Sequence, residues 1–204
     1  MHLRVLIHRL RAGGAIAIAM ASLACASDAG GPDRSQGFSS LVALSAARLD
    51  LSRQVALTKW DTHQPVADPP GDPREQEVIA AASREASGRG LPEELATAFF
   101  ADQIEASKLV QFALMAHWRR EGQAPIEPRA DLRSELRPAL DRLRTQFIDQ
   151  LIAIQPRRER ADCRERLADA TARHADAHGL SPLFAIALDR GLARVCAEGP
   201  DPLR

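Results

Sequence analysis

The feature of this chain that most restricts its fold is a helical repeat of apolar residues with one cation inside it. Leu41, Leu44, Leu51 and Val55 share one face at the period of an amphipathic α-helix, and Arg48 occupies the same stripe. The composition is alanine-rich, lacks tyrosine and shows little clustering of β-branched residues, which argues against sheet. The sequence therefore predicts an all-α fold.

Arg48 shares its side of this helix with a second cation. Lys59 follows eleven residues later, and three turns of 3.6 residues bring it back to about 20° from Arg48. Asp50 is nearly opposite on the helical wheel, so no acidic residue of the helix can pair with both cations. Burial of an unpaired cation costs several kcal/mol, which makes an external anion the simplest partner. The alternatives are a glutamate elsewhere in the bundle for Arg48 and a surface position for Lys59.

The first 26 residues have the pattern of a secretory signal peptide: basic residues, an uncharged stretch, then small residues. Cleavage before Ser27 would remove Cys25, and a lipid anchor on Cys25 is the alternative. The uncharged stretch is shorter than the roughly 20 residues that a membrane-spanning helix needs. We therefore expect a periplasmic or secreted protein with a flexible leader over residues 27–38 and no membrane segment after cleavage.

Residues 39–200 are predicted to form one domain of about six helices. Segments that contain proline or glycine separate the helices, and a proline can open several of them. The predicted helices cover residues 39–62, 74–87, 92–120, a segment through Leu136 and Ile154 that ends before Pro156, 160–178 and 181–196. In an oxidising compartment, Cys163 and Cys196 are expected to form one disulfide between the last two helices.

The charge balance excludes several classes of function. Lysine plus arginine and aspartate plus glutamate number 27 each, so no net charge attracts nucleic acid or an anionic membrane.

His174 and His178 could share a helix face as metal ligands, but no third ligand accompanies them, so we expect no metal. The sequence contains no glycine-rich phosphate loop and no triad of nucleophile, base and acid, so we expect no cofactor.

A polar pair interrupts the apolar face of the third predicted helix. Ser107 and Gln111 are four residues apart and therefore stacked on one face. Their apolar neighbours are Phe100, Ile104, Val110, Leu114 and Met115. Polar groups in such surroundings need hydrogen bonds, from a ligand or, as the alternative, from each other and the neighbouring backbone.

Taken in order, these residues resemble the all-helical chorismate mutases over about residues 39–120. The shared motifs are Arg48, Lys59-Trp60, Gln64-Pro65-Val66-x-Asp68, Arg74-Glu75-Gln76 and Ser107-x-x-x-Gln111. The signal peptide, the cysteine pair and the segment Leu136-Arg137-Pro138-Ala139-Leu140-Asp141 resemble the secreted gamma subclass. The resemblance implies the Claisen rearrangement of chorismate to prephenate, in phenylalanine and tyrosine biosynthesis, without a cofactor.

The resemblance also implies a role for each matching residue. Lys59 and Gln111 would donate to the ether oxygen of the substrate, with Lys59 also touching a carboxylate. The arginines Arg48, Arg74 and Arg137 would bind the two carboxylates, and Ser107 would orient one of them. Glu75, with a backbone N–H near Asp68, would bind the ring hydroxyl. Val55 and Ile104 would form apolar walls.

Several points stay open at this level. The resemblance implies a homodimer. Gly31 stands where the cytosolic subclass has an arginine that crosses to the partner subunit, and Arg137 matches the fourth-helix arginine that replaces it in the secreted subclass. The active site is therefore expected within one chain. Arg133 and Arg144 are alternatives to Arg137, and Asp72 is an alternative to Asp68. A non-catalytic periplasmic helical protein that binds a small acidic ligand is the alternative function.

Overall fold

The computed structural model describes residues 36–67, 69 and 72–197. Over these residues the chain forms six α-helices, one π-helical turn and no strand. The helices are α1 (Gln36–Asp61), α2 (Arg74–Ser87), α3 (Glu93–Glu121), α4 (Arg137–Arg158), α5 (Cys163–His178) and α6 (Pro182–Leu192), and the π-helical turn is Leu132–Leu136. All six belong to one compact unit. The predicted all-α bundle is confirmed.

Some sequence predictions concern residues outside the described ranges. These are the predicted signal peptide with Cys25, most of the predicted leader, Gly31 and Asp68. Within the part of the chain that is described, no helix is both long and apolar enough to cross a bilayer.

Helix α1 runs through the centre of the bundle and packs against α3, α4, α5 and α6. It supplies Leu41 from the apolar stripe and Leu49 from outside that stripe, both almost fully buried, to the main core. Three phenylalanines extend that core between α3 and α4: Phe99, Phe100 and Phe147 contact one another edge to face. Helix α1 thus builds the core and also carries Arg48.

The start of α1 corrects the predicted leader. Residues 36–38 were expected to be flexible, but α1 begins no later than Gln36. Phe38 is fully buried in the main core, and burial of a phenylalanine side chain contributes roughly 1.5–3 kcal/mol. This burial explains why the helix extends beyond the predicted boundary.

The end of α4 corrects a second prediction, because the helix continues through Pro156 to Arg158. Contacts with the C-terminal segment hold its last turn. Arg158 Nε donates to the Val195 carbonyl at 2.6 Å, and the Ala197 N–H donates to the Arg158 carbonyl at 3.0 Å. These tertiary bonds offset the hydrogen bond that proline cannot make.

A covalent bond joins α5 to the segment after α6, and a buried ion cluster joins the C-terminal segment to α3. The predicted disulfide is present, with the Cα atoms of Cys163 and Cys196 5.8 Å apart. The carboxylate of Asp102 on α3 is almost fully buried and pairs with Arg190 and Arg194. Helix α6 ends at Leu192, so Cys196 lies in the turn after it and not within it as predicted.

Candidate active site

A cavity of about 460 Å³ opens between α1, α2, α3, the π-helical turn and α4. The residues that line it are Arg48, Val55, Lys59, Gln64, Pro65, Val66, Pro69, Arg74, Glu75, Ile104, Ser107, Lys108, Gln111, Leu132, Arg133, Arg137 and Leu140. A smaller cavity of about 270 Å³ adjoins it and shares six of these residues. The structure therefore brings every described residue of the predicted site to one cavity.

Arg48 lines the cavity from the middle of α1. Burial lowers the pKa of its guanidinium from the ordinary value to about 10. Its Nε makes a long hydrogen bond, 3.5 Å, to the backbone carbonyl of Gln103. No carboxylate among the described residues forms an ion pair with Arg48. The alternative of a glutamate partner within the described bundle is therefore wrong.

Lys59 reaches the cavity from the last turn of α1, so a surface position is also wrong for it. Its Nζ donates to the Val66 carbonyl at 2.7 Å. Val66 belongs to a second, smaller core in which Trp60 and Trp118 meet edge to face at 5.9 Å. This core anchors the loop after α1 against α3, which holds the lysine ammonium beside the cavity.

Ser107 and Gln111 meet within α3 on the cavity wall. Gln111 Nε2 donates to Ser107 Oγ at 3.1 Å. The expected alternative of a hydrogen bond between these two side chains is therefore correct. The other half of the Gln111 amide is not satisfied: Oε1 is buried without a hydrogen-bond partner. An unpaired buried carbonyl oxygen is costly.

Arg74 and Glu75 enter the cavity from the first turn of α2. Glu75 pairs with Lys108 of α3, a residue that the sequence interpretation did not include. Lys108 Nζ also lies 2.6 Å from Glu105. Burial alone would lower the pKa of Lys108, but its hydrogen bonds to the two glutamates outweigh burial and raise it. The chain has only two lysines, Lys59 and Lys108, and both line this cavity.

Arg137 is the best placed of the three candidate arginines near α4. It lines both cavities, and its Nε is buried without a hydrogen-bond partner. Arg144 is already paired with Glu85 at 2.9 Å and lines only the smaller cavity. Arg133 lines the larger cavity but is exposed to solvent.

The π-helical turn explains how Arg137 is positioned. Asp131 caps this turn by accepting hydrogen bonds from the backbone N–H groups of Arg133 and Ser134 at 2.9 and 2.6 Å. Leu136, the last residue of the turn, is buried. Arg137 follows directly as the first residue of α4, and its side chain therefore starts from a fixed point on the cavity rim.

Other polar candidates lie elsewhere. Asp72 does not line the cavity, and its carboxylate accepts from the Arg74 backbone N–H at 3.0 Å at the start of α2. His174 and His178 stack with ring centroids 4.1 Å apart, on α5. No three His, Cys, Asp or Glu side chains are grouped as metal ligands in the described ranges.

Comparison with known proteins gives a consistent result. A family model described as chorismate mutase type II matches residues 39–112. The secreted chorismate mutase of Mycolicibacterium smegmatis is 30% identical over 156 residues, which make up 76% of this chain and 84% of that protein. The crystal structure of chorismate mutase from Burkholderia phymatum has a TM-score of 0.78 at 43% identity, covering 82% of this chain and 100% of that one. For the enzyme from Burkholderia thailandensis the TM-score is 0.73 at 37% identity, with coverage of 78% and 99%.

An all-helical bundle with several cations and few acids around one cavity is the architecture of an enzyme for a small anionic substrate. The chain belongs to the chorismate mutase family. It is therefore an isomerase that rearranges chorismate to prephenate. The alternative of a non-catalytic protein that binds an acidic ligand is not favoured.

Proposed function

We propose that the cavity between α1, α2, α3 and α4 binds chorismate and that its residues take the roles implied by the motif. The reaction is unimolecular and pericyclic, so it needs no nucleophile, no metal and no proton transfer. The enzyme has to hold a flexible dicarboxylate in a compact conformer and stabilise the negative charge that develops on the ether oxygen. Even modest enzymatic acceleration requires about 8 kcal/mol of transition-state stabilisation.

The observation that carries the proposal is the position of Lys59 and Gln111 on two different helices around one cavity. Lys59 supplies a cation from α1, and Gln111 supplies an amide N–H from α3. Both would donate to the ether oxygen as its bond to carbon breaks. Their hydrogen bonds to the Val66 carbonyl and to Ser107 orient both groups before the substrate arrives.

Three arginines from three helices would bind the two carboxylates. Arg48 comes from α1, Arg74 from α2 and Arg137 from α4. The desolvated Arg48 guanidinium forms no ion pair with a described residue, and Arg137 Nε has no hydrogen-bond partner. A substrate carboxylate would supply both contacts. Ser107 would orient one carboxylate.

The ring of chorismate would lie between Val55 and Ile104, the apolar walls of the cavity. Glu75, held by Lys108 on α3, would accept a hydrogen bond from the ring hydroxyl. A backbone N–H near Asp68 would complete that contact by analogy with the motif.

The test is turnover of chorismate by the purified mature protein, followed as loss of chorismate absorbance. Lys59→Ala should lower kcat at least about a hundredfold, as removal of one preorganised donor does elsewhere. Arg84→Ala is a matched control because Arg84 is an exposed cation that does not line the cavity. Circular dichroism should show that both variants are folded. An unchanged kcat in folded Lys59→Ala would refute the assignment.

We also propose that the protein is exported and forms a homodimer in which each active site lies within one chain. The relative from Mycolicibacterium smegmatis is named a secreted enzyme, and the first 26 residues here have the pattern of a signal peptide. N-terminal sequencing of the exported protein should begin at Ser27. Light scattering would give the protein concentration at which the dimer dissociates. If each active site needs only one chain, the specific activity will not fall when the protein is diluted below that concentration.

A further inference from the structure

A hydrogen-bonded chain connects the backbone of α1 to the amide of Gln111 through two hydroxyl groups. Ser52 Oγ lies 2.8 Å from the Arg48 carbonyl oxygen and 2.7 Å from Ser107 Oγ. Gln111 Nε2 donates to the same Ser107 oxygen at 3.1 Å. Ser107 and Gln111 line the cavity, whereas Ser52 is only 2% exposed and does not. A residue beyond the reach of the substrate is thus bonded to one proposed to touch it.

The single proton of the Ser52 hydroxyl has two acceptors within reach, and the choice between them decides what Ser107 can do. When Ser52 donates to the Arg48 carbonyl, Ser107 can donate back to Ser52. When Ser52 donates to Ser107, the Ser107 oxygen accepts from both Ser52 and Gln111. A hydroxyl has two acceptor lone pairs and one proton. In this second arrangement the lone pairs are filled, and the Ser107 proton is available to the cavity.

Ser52 also affects the orientation of the Gln111 amide. Gln111 Oε1 is buried without a partner, and a rotation of the amide by 180° would let it accept the Ser107 proton. That rotation would satisfy Oε1 but would turn Nε2 away from Ser107. When Ser52 donates to Ser107 and a substrate carboxylate accepts the Ser107 proton, no proton is left for Oε1. The Ser107 oxygen then has one free lone pair, which Gln111 Nε2 fills, so the rotation would cost a hydrogen bond.

We propose that Ser52 is a positioning residue for the rearrangement: it makes Ser107 a hydrogen-bond donor toward a substrate carboxylate and holds Gln111 with Nε2 beside Ser107. One N–H of Gln111 then bonds Ser107, and the second N–H remains for the ether oxygen. This inference rests on the proposed roles of Ser107 and Gln111 in the function above. It adds a residue that neither lines the cavity nor belongs to the motif.

The chain contains a matched control for Ser52. Ser45 lies seven residues earlier on α1, is 1% exposed and accepts a hydrogen bond from Gln103 Nε2 at 3.1 Å. Both serines are buried on α1 and bond to α3, but the Ser45 bond leads away from the cavity. Ser52→Ala and Ser45→Ala remove the same atom from similar surroundings.

The experiment compares kcat and KM for chorismate in Ser52→Ala, Ser45→Ala, Ser107→Ala and Ser52→Ala/Ser107→Ala, with thermal unfolding of each. We expect Ser52→Ala to lower kcat/KM about tenfold, the scale of one lost hydrogen bond. Ser45→Ala should stay within about twofold of the parent, and Ser52→Ala should add nothing in the Ser107→Ala background.

Each outcome of this cycle is decisive. The positioning role is wrong if Ser52→Ala lowers kcat/KM equally in the parent protein and in the Ser107→Ala background. It is also wrong if Ser52→Ala lowers kcat/KM no more than Ser45→Ala does. In both cases the proposed function stands. If Ser107→Ala alone has no effect, the proposed role of Ser107 is wrong and the inference falls with it. A fall in kcat/KM for Ser52→Ala that disappears in the Ser107→Ala background supports it.

Discussion

Lys108 Nζ lies 3.3 and 3.1 Å from the two carboxylate oxygens of Glu75, and this contact joins α3 to α2 at the rim of the cavity. The two residues are 33 positions apart in the sequence. The carboxylate of Glu75 is thereby held by a cation that also pairs with Glu105 on its solvent side. In the proposed function Glu75 binds the ring hydroxyl, so Lys108 determines where that carboxylate points.

Lys108→Met should therefore weaken substrate binding more than it slows the reaction. A partly exposed ion pair contributes up to about 1 kcal/mol, which corresponds to about a fivefold rise in KM for chorismate, with kcat within about twofold. Steady-state kinetics measure both. Glu105→Gln is the control, because it removes the outer partner of Lys108 and leaves the contact with Glu75. Equal KM values for Lys108→Met and the parent protein would contradict this role.

Arg48→Met should make the substrate-free protein more stable while it prevents substrate binding. Burial disfavours the charged form of Arg48, and its hydrogen bond to the Gln103 carbonyl is long, so a methionine of similar shape removes a cost. A gain of about 1 kcal/mol would raise Tm by about 2–4 °C in a chain of this size. Thermal unfolding monitored by circular dichroism measures the change.

The control for Arg48→Met is Arg158→Met. Burial also lowers the pKa of Arg158, but this guanidinium donates to the Val195 carbonyl at 2.6 Å and holds the end of α4. Its replacement should lower Tm. If both variants lower Tm, Arg48 stabilises the bundle and is not a strained binding group.

Gln111→Glu should introduce a pH dependence that the parent protein lacks. Gln111 cannot ionise, so we expect the rate of the parent to stay flat between pH 5 and 8. A glutamate at this position can donate to the ether oxygen only when protonated, and its charged form would repel the developing oxyanion. The rate of the variant should fall as the pH rises through this range. A flat profile for Gln111→Glu would rule out a donor role for Gln111.

The helices could be predicted from local signals in the sequence. Proline and glycine positions placed the bounds of α2 correctly, and the apolar period identified α1. Pro156 was misread because the bonds that hold the end of α4 come from Val195 and Ala197, far along the chain. Local rules cannot include a partner that only the fold supplies.

The cavity shows the same limit. Arg48 and Lys59 could be paired from helical geometry, since both lie on α1. Lys108 could not be connected with Glu75, because nothing in the sequence brings α2 beside that face of α3. One signal was available: in a chain with 25 arginines, a lysine is rare, and both lysines line the cavity.

Substitution of each of the three candidate arginines near α4 should have a different effect on kcat/KM and Tm. Arg137→Met should lower kcat/KM about a hundredfold, because a bidentate carboxylate contact in a desolvated site is worth roughly 2–3 kcal/mol. Arg144→Met should chiefly lower Tm, since Arg144 bonds Glu85 of α2 and Asp141. Arg133→Met should change kcat/KM less than fivefold, because Arg133 is solvent-exposed. A larger loss for Arg133→Met than for Arg137→Met would reverse the assignment.

Loss of the disulfide should reduce stability without abolishing activity. The bond between Cys163 and Cys196 closes a 33-residue separation, for which loop entropy predicts about 3–4 kcal/mol of stabilisation. Cys163→Ser/Cys196→Ser should lower the urea midpoint, and reduction of the parent protein should lower it similarly. The cavity is lined from α1–α4 and the segments between them, so kcat at 25 °C should stay within about twofold. If kcat instead falls in step with disulfide reduction while the far-ultraviolet spectrum is unchanged, the packing of α5 and α6 on α1 and α3 controls the position of the site residues.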